Sequence, residues 1–190
     1  MPTVLLRATE RVALVVPGPE VAPRMAAYLA HNREHVAATS PPRHPSFYEE
    51  LALEQRFRTG LEDFRAGRAL PLLLFRRGGE DGPVLGEITF SNIVRGPFLA
   101  CYLGYNLDRD HVGQGLMYEA LGAAIRYAFE ELRLHRIMAN YMPTNQRSGR
   151  LLRRLGFTVE GYARDYLFLG GAWQDHILTS LTNPAEIAPP

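Results

Sequence analysis

The stretch FLACYLGYNLDRDHVGQGLMYEALGAAIRYAFEELRL, residues 98–134, decides the fold. Its first ten residues carry an apolar side chain at every second position, which predicts a strand at 98–107 because alternate side chains of a strand share one face. After Gly113 and Gly115 the apolar residues recur with a period near 3.6, which predicts an amphipathic helix ending near Leu132. A strand, a glycine loop and a helix therefore follow one another directly.

The loop Gly113-Gln114-Gly115 could hold a phosphate group. The first N–H groups of a helix have no partner within it and carry partial positive charge, and glycines let an anion come close to them. A plain glycine turn would leave the same sequence pattern. Tyr118 stands where a dinucleotide fingerprint has its third glycine, and no Gly-Lys-Ser/Thr sequence follows, so neither common phosphate-binding motif is present.

The rest of the chain continues the alternation of strands and helices. Further strands are predicted at 11–16, 70–75, 84–94, 135–141, 162–169 and 173–181, and further helices at 21–32, 47–66 and 146–155. Gly170-Gly171 between the last two strands indicates a hairpin. Gly104, inside a strand, suggests a bulge or the close approach of another backbone segment or a ligand. We expect an α/β (α+β) fold in which helices flank a mixed sheet.

Size and charge narrow the class of protein. A chain of 190 residues with 46% apolar residues predicts one domain, at 1–184, followed by a tail at 185–190. The formal charge of +1 provides no basic excess for nucleic-acid phosphates, so we expect no direct DNA binding. No segment approaches the ~18 consecutive apolar residues of a membrane span, and the N-terminus lacks the apolar core of a signal peptide. We expect a cytoplasmic protein that does not enter a membrane.

Cysteine and histidine give little sign of redox or metal chemistry. Cys101 is the only cysteine, which excludes an internal disulfide and a CxxC motif. Its apolar surroundings favour a small buried side chain over a nucleophile. No HExxH motif is present, and we expect no bound metal ion.

Four segments together carry a resemblance to a known family: FSNIVRGPFLACYLGYNL (90–107), GQGLMYEALGAAIRYAFE (113–130), HRIMANYMPTNQRSGRLLRRLGF (135–157) and EGYARDYLFLGGAWQDHILTSL (160–181). The chain resembles the GNAT acetyltransferases, and among them the ribosomal-protein-alanine N-acetyltransferases of the RimJ/RimL kind, the RimJ type most. The resemblance implies a GNAT fold, with a mixed, mostly antiparallel sheet, a splayed strand pair at 98–107 and 135–141, and flanking helices. It also implies acetyl-CoA as co-substrate, with the pantetheine arm in the gap between the splayed strands.

The same resemblance assigns the contacts of the cofactor. Backbone groups near Tyr105 and Leu107 would pair with the pantetheine arm, and Asn145 would contact the cofactor. The pyrophosphate loop would consist of Val112, Gly113, Gln114, Gly115, Leu116 and Met117. Val112 replaces a polar residue of the family pattern and Met117 replaces a small one. Since backbone amides make most of the phosphate contact, we still expect binding.

An Asn-x-x-Ser motif of the family falls on Asn145 and Ser148. The resemblance implies that the Ser148 hydroxyl stands near the thioester sulfur, which makes Ser148 the candidate acid for the leaving thiolate. Asn145 would also cap the following helix. Ser148 could instead be a solvent-exposed hydroxyl in the first helical turn.

Two carboxylates are candidates for the base. An N-terminal α-amine has a pKa of roughly 7.7–8.0, so part of it is neutral at pH 7 and a mild base suffices. Glu87 lies on a predicted central strand, and Asp165 lies in the segment that would close the substrate side. Glu87 could equally be solvated on the sheet, and Asp165 could pair with Arg164. The glutamate that RimL-type members are thought to use falls here on Leu167, so its role does not carry over.

These inferences predict an enzyme that transfers acetyl directly from acetyl-CoA to an N-terminal amine within a ternary complex. The resemblance implies an N-terminal alanine of a ribosomal protein as acceptor, and contact with the ribosome is compatible with it. An acetyltransferase of a small amine, such as an aminoglycoside or a polyamine, is the alternative. A ribosome-assembly factor that keeps the fold without catalysis is a third reading. We expect a monomer or a homodimer.

Overall fold

The computed structural model describes residues 3–37 and 39–185, and in them eight strands form one sheet with helices on both faces. The strands are β1 (Val4–Ala8), β2 (Val12–Val16), β3 (Leu70–Arg76), β4 (Gly86–Val94), β5 (Ala100–Leu107), β6 (Arg136–Met138), β7 (Thr158–Leu169) and β8 (Ala172–Thr182). The helices are α1 (Ala22–His31), α2 (Arg33–Ala37), α3 (Glu50–Arg65), α4 (Leu116–Glu130) and α5 (Gln146–Arg154).

The sheet is mixed and mostly antiparallel, as predicted. Its strand order is β1-β2-β3-β4-β5-β6-β8-β7, and among these neighbours β5 and β6 form the parallel pair. A parallel pair needs a long crossover connection, and here the glycine loop and α4 supply it. The N-terminus of α4 therefore lies near the end of β5.

The parallel pair splays apart after three residues. β5 pairs with β6 over Ala100–Tyr102 and Arg136–Met138. Beyond Met138 the chain follows β8 instead, since the Ala139 N–H donates to the Thr179 carbonyl and the Tyr141 N–H to the Ile177 carbonyl. The second half of β5 therefore borders a V-shaped gap, which confirms the predicted splay.

Two apolar clusters hold the helices to the sheet. The stripe of α4 packs on one face, with Ala120, Leu121 and Ala124 fully buried. Helices α1 and α3 cover part of the other face, where Met25 and Leu53 are fully buried. Strand residues alternate between the two clusters, as period-two patterning requires. We refer to the two sides as the α4 face and the α3 face.

Several local predictions are confirmed by the backbone. Gly170 and Gly171 have φ of 59° and 85°, the positive values that a tight hairpin turn requires. Gly156, with φ of 91°, follows the end of α5 and makes the left-handed turn typical of a helix C-terminus. Among the described residues, no helix is both long and apolar enough to cross a lipid bilayer.

Other local predictions are wrong. The edge strand β1 was not predicted, because its side chains are mostly exposed and leave no alternating pattern. Strand β6 is shorter than the predicted 135–141, because the chain turns to β8 after Met138. The bulge expected at Gly104 is absent: β4 and β5 keep their register from Gly86 to Ser91, and the shift falls between Ser91 and Val94. The predicted tail lies outside the described residues apart from Ala185.

Candidate active site

The glycine loop ends in a helix start without a side-chain cap. Gly113 and Gly115 have φ of 83° and 78°, and Gly115 is the N-cap of α4. An N-cap serine or aspartate would occupy first-turn amides, whereas glycine leaves them open to a ligand. Before the loop, Asp108 accepts from the Asp110 N–H at 3.0 Å and from His111 Nδ1 at 2.8 Å, and these bonds fix the turn at Arg109–His111.

Two side chains of the loop, those of Leu116 and Met117, point into the core and away from the helix start. Leu116 and Met117 are 3% and 6% exposed and pack in the α4-face cluster. Met117 can therefore replace a small residue without obstructing the amides. No heavy atom of the described residues lies within 4 Å of the position that a Gly113 Cβ would take. The surface is formed by backbone, as an anion cradle requires.

Arg11 braces the loop from a distant part of the chain. Its Nη1 donates to the Gln114 carbonyl at 2.9 Å, and its Nε donates to Glu119 Oε2 at 2.6 Å. The Arg11 backbone N–H donates to the other Glu119 oxygen at 2.8 Å. Burial would raise the pKa of Glu119, but hydrogen bonds from Thr9 and Arg11 outweigh it and lower that pKa. Sequence reasoning missed Arg11, since nothing local links residue 11 to the loop.

Ser148 is joined to two of the other predicted residues. Its Oγ lies 2.8 Å from the Tyr105 hydroxyl, and its N–H donates to Asn145 Oδ1 at 3.1 Å. Asn145 therefore caps α5, as predicted. Ser148 is half-buried rather than solvent-exposed. Burial raises the pKa of Tyr105 to about 12, so this hydroxyl stays protonated at neutral pH.

Helix α5 approaches the sheet closely at one glycine. A Cβ on Gly149 would lie 2.7 Å from Cε2 of Tyr141, closer than non-bonded carbons come. Only glycine lets α5 rest on the Tyr141 ring, and this contact sets the position of Asn145 and Ser148.

Glu87 belongs to a polar cluster on the α3 face, which we call the Glu87 cluster. One carboxylate oxygen accepts from Arg56 Nη2 at 2.7 Å and the other accepts from Asn106 Nδ2 at 2.7 Å. The Tyr28 hydroxyl donates to Asn106 Oδ1. Burial, with Glu87 and Asp108 nearby, raises the pKa of Tyr28 well above its usual range. Asn106 follows Tyr105 in β5, so the cluster and Ser148 lie on opposite faces of one strand.

A cleft of about 490 Å³ opens beside this cluster, between α3 and the sheet. Glu87, Thr89 and Ser91 line its floor from β4, and Arg56 and Asp63 line its wall from α3. Sequence reasoning identified Glu87 as a candidate base that could equally be solvated, and in the structure this residue lines the cleft. Its partners Arg56, Asn106 and Tyr28 could not be identified from local patterns.

A second polar group, the Tyr166 cluster, lies where the strands begin to splay. Asn140 Nδ2 donates to the Tyr166 hydroxyl at 3.1 Å, and the rings of Tyr166 and His176 are 5.3 Å apart. Tyr102, the last β5 residue paired with β6, hydrogen-bonds to Tyr166. Burial first, and this bond to Tyr102 second, raise the pKa of Tyr166.

Asp165 lies in a separate group on the β7–β8 hairpin. It has φ of 48° within an irregular part of β7, and its side chain is exposed. Its N–H donates to Asp175 Oδ1 at 2.9 Å, while the Tyr162 hydroxyl donates to the other oxygen of Asp175 at 2.5 Å. Ser148 thus lies with Tyr105 and Asn145, whereas Glu87 and Asp165 each lie in a different hydrogen-bonded group.

His31, Asp108 and Asp110 come within metal-ligating distance of one another, with ligand atoms inside 4.8 Å. His31 and His35 also form an HxxxH spacing, which sequence reasoning missed when it found no metal-binding spacing among the histidines. However, Asp108 already accepts from Asn32 Nδ2 at 2.9 Å, and His31 Nε2 lies 2.7 Å from Asp110. These bonds dock the end of α1 onto the turn at Arg109–His111, and the absence of a metal stays a prediction.

Comparisons with known proteins agree with this geometry. A family model described as an acetyltransferase (GNAT) domain matches residues 11–158. The [ribosomal protein uS5]-alanine N-acetyltransferase of Escherichia coli (strain K12) is 47% identical over 161 residues, which cover 85% of this chain and 82% of that protein. A ribosomal-protein-S5-alanine acetyltransferase structure from Vibrio fischeri superposes with a TM-score of 0.90 at 34% identity, covering 96% of this chain and 98% of that chain.

A third similar protein was solved with a ligand. The structure of Mycobacterium smegmatis RimJ in complex with CoA-disulfide has a TM-score of 0.83 at 26% identity and covers 90% of this chain and 81% of that chain. The uncapped helix start beside a splayed strand pair, together with these matches, leads to one assignment: the chain belongs to the GNAT acetyltransferase family.

Proposed function

We propose that this enzyme transfers the acetyl group of acetyl-CoA to the N-terminal amine of a ribosomal protein, with alanine as the first residue. The observation that supports cofactor binding is the gap where β5 separates from the chain after β6. This gap opens onto the start of α4, which has no side-chain cap. The acceptor follows from the two similar enzymes named for alanine acetylation of ribosomal protein uS5, or S5. A cytoplasmic monomer or homodimer suits this role.

The cofactor would follow the edge of β5 into the loop. Backbone groups of Tyr105 and Leu107 border the gap and can pair with the amides of the pantetheine arm, as a neighbouring strand would. The diphosphate would accept hydrogen bonds from amides of the loop formed by Val112, Gly113, Gln114, Gly115, Leu116 and Met117. Asn145, which caps α5 next to Ser148, would contact the cofactor from the side of α5. The partial positive charge at the start of α4 and the small glycines of the loop both favour a diphosphate at this position.

Ser148 would act as the acid. The amine nitrogen attacks the thioester carbonyl carbon, the carbon–sulfur bond breaks, and coenzyme A leaves as a thiolate that needs a proton. Ser148 can supply it, because the protonated Tyr105 hydroxyl at 2.8 Å can donate to the serine oxygen and replace the lost proton, and solvent water then returns a proton to Tyr105.

Glu87 would act as the base, through a water molecule, and it suits this role better than Asp165. Glu87 lines the cleft on the α3 face and is oriented by Asn106 and Arg56, whereas Asp165 is exposed on the hairpin. A carboxylate is a weak base. A weak base suffices for an α-amine whose pKa is roughly 7.7–8.0.

Intact-mass analysis tests the proposal. The enzyme and acetyl-CoA are incubated with unacetylated ribosomal proteins, with an alanine-starting peptide, and with a panel of aminoglycosides and polyamines. A gain of one acetyl group on an alanine-starting chain is the expected result. Faster transfer to a small amine would establish the alternative enzyme, and acetyl-CoA binding without transfer to any acceptor would establish a non-catalytic factor.

A further inference from the structure

Gly104 is a glycine that the folded chain itself does not require. It lies in the middle of β5, where glycine loses conformational entropy and packing and so costs stability. Its φ lies outside the left-handed region, so an L side chain could adopt this backbone. No heavy atom of the described residues lies within 4 Å of the position of a Gly104 Cβ. Neither backbone strain nor crowding therefore explains the glycine.

The empty position lies between the two polar clusters of the α3 face. Gly104 is opposite Thr89 in β4, and Thr89 lines the cleft beside α3. Two residues away on the same face stand Asn106, of the Glu87 cluster, and Tyr102, which bonds to Tyr166. The edge of β5 between them borders the gap that would hold the thioester. The open space above Gly104 therefore has hydrogen-bonding side chains on both sides.

In the proposed reaction, the acid and the attacking amine lie on opposite faces of β5. Tyr105 and Ser148, which would protonate the sulfur, lie on the α4 face, and buried side chains of α4 fill much of that face. An amine must therefore reach the carbonyl carbon from the α3 face, where the cleft opens. Thr89 of this cleft is paired with Gly104, so an acceptor that extends from the cleft to the edge of β5 at this level crosses the glycine.

We propose that the missing side chain at Gly104 is the space taken by the first residue of the acceptor as its amine attacks. The inference rests on the proposed function and deepens it. Because Gly104 has no side chain, an acceptor with a small first residue can bring its amine to the thioester. A side chain at this position would keep the amine away from the carbonyl carbon while leaving the cofactor in place. Gly104 is thus a positioning residue for the acceptor.

The test compares Gly104→Ala and Gly104→Val with Gly161→Ala. Gly161 is the matched control: it is also a strand glycine outside the left-handed region, and a Cβ there meets no heavy atom of the described chain within 4 Å, but it lies in β7. Three quantities are measured: the Tm, the Kd for coenzyme A by calorimetry, and kcat/KM for the acceptor. The acceptor is whichever the wild type uses fastest, an alanine-starting peptide or a small primary amine.

We expect Gly104→Ala to lose about tenfold in kcat/KM for the acceptor and Gly104→Val about 100-fold or more. Displacement of a reacting group by about 1 Å can lower the rate about 100-fold. The Tm should stay equal or rise, the Kd for coenzyme A should stay constant, and Gly161→Ala should behave as wild type. Undiminished transfer by Gly104→Val would overturn the proposal, and so would a parallel loss of coenzyme A affinity. If the wild type acetylates a small amine faster than the peptide, the proposed ribosomal substrate is contradicted. The Gly104 variants are then compared on that small amine.

Discussion

Tyr105 and Ser148 form the hydroxyl pair to which we assign the acid chemistry of the proposed mechanism. The two oxygens are 2.8 Å apart, and burial holds the pKa of Tyr105 at about 12. Tyr105 therefore stays protonated at neutral pH and can donate to Ser148, which in the proposed mechanism leaves the serine hydrogen for the sulfur. The pair cannot be predicted from sequence, because its members are 43 residues apart.

Replacing either hydroxyl should slow the chemical step. We expect Ser148→Ala to lower kcat about 100-fold and Tyr105→Phe about tenfold, since general acid catalysis typically contributes 10²–10⁴-fold. Steady-state kinetics and calorimetry would show the loss in kcat with the coenzyme A affinity retained. Full turnover by Ser148→Ala would remove the serine from the mechanism.

Glu87 and Asp165 can be separated by their neutral amides. We expect Glu87→Gln to lower kcat about 100-fold at pH 7 and to recover as pH rises and the acceptor amine deprotonates unaided, whereas Asp165→Asn keeps wild-type kcat. A pH–rate profile of both variants measures this. Arg56→Gln is the control, since it removes the ion pair but keeps the carboxylate and should lose less than Glu87→Gln. The reverse ranking of Glu87→Gln and Asp165→Asn would assign the base to Asp165.

At the scale of elements, the glycine loop is held by contacts at both ends of the β5–α4 connection. Arg11 holds the Gln114 carbonyl and the Glu119 carboxylate, and Asn32 at the end of α1 donates to Asp108 and accepts from the Arg109 N–H at 2.8 Å. The glycines allow the loop to bend, and these distant side chains determine where it rests.

Removing the brace should weaken cofactor binding before it affects chemistry. We expect Arg11→Ala to raise the Kd for coenzyme A by about tenfold, because a less ordered loop must be fixed on binding.

The bonds to Glu119 lower its pKa in the folded state, so they stabilise the fold above the unfolded pKa near 4.5, and this stabilisation is lost as pH falls through the folded value. Urea unfolding below pH 4.5 should therefore show a smaller pH dependence in Glu119→Gln, and an unchanged dependence would contradict the role of the ion pair.

Helix α5 offers a test of how closely an element must be positioned. Gly149→Ala would place Cβ 2.7 Å from Tyr141, so the helix must shift. We expect a loss of about 1–3 kcal/mol in the free energy of unfolding and a lower kcat, since Ser148 shifts with the helix. Gly122→Ala in α4 is the control: its nearest neighbour is a flexible Arg126 nitrogen at 3.8 Å, and it should gain stability. Equal Tm values for the two variants would contradict the packing argument.

At the scale of the whole molecule, local chemistry was predictable and long-range pairing was not. Gly156, Asn145 and Gly170 each mark a cap or turn that nearby residues determine, and all three were predicted correctly. The family resemblance supplied the splay, which no periodicity reveals. The Glu87 cluster and the Arg11 brace join residues far apart in sequence, so their geometry follows only from the folded sheet.

The central claim is that coenzyme A lies along the free edge of β5 with its diphosphate on the start of α4. Amide hydrogen exchange with and without coenzyme A tests it most directly, since each amide that donates to the ligand becomes protected. We predict slower exchange in peptides covering 103–107 and 113–118 and unchanged exchange in β1. Binding that leaves both segments unprotected would contradict the account.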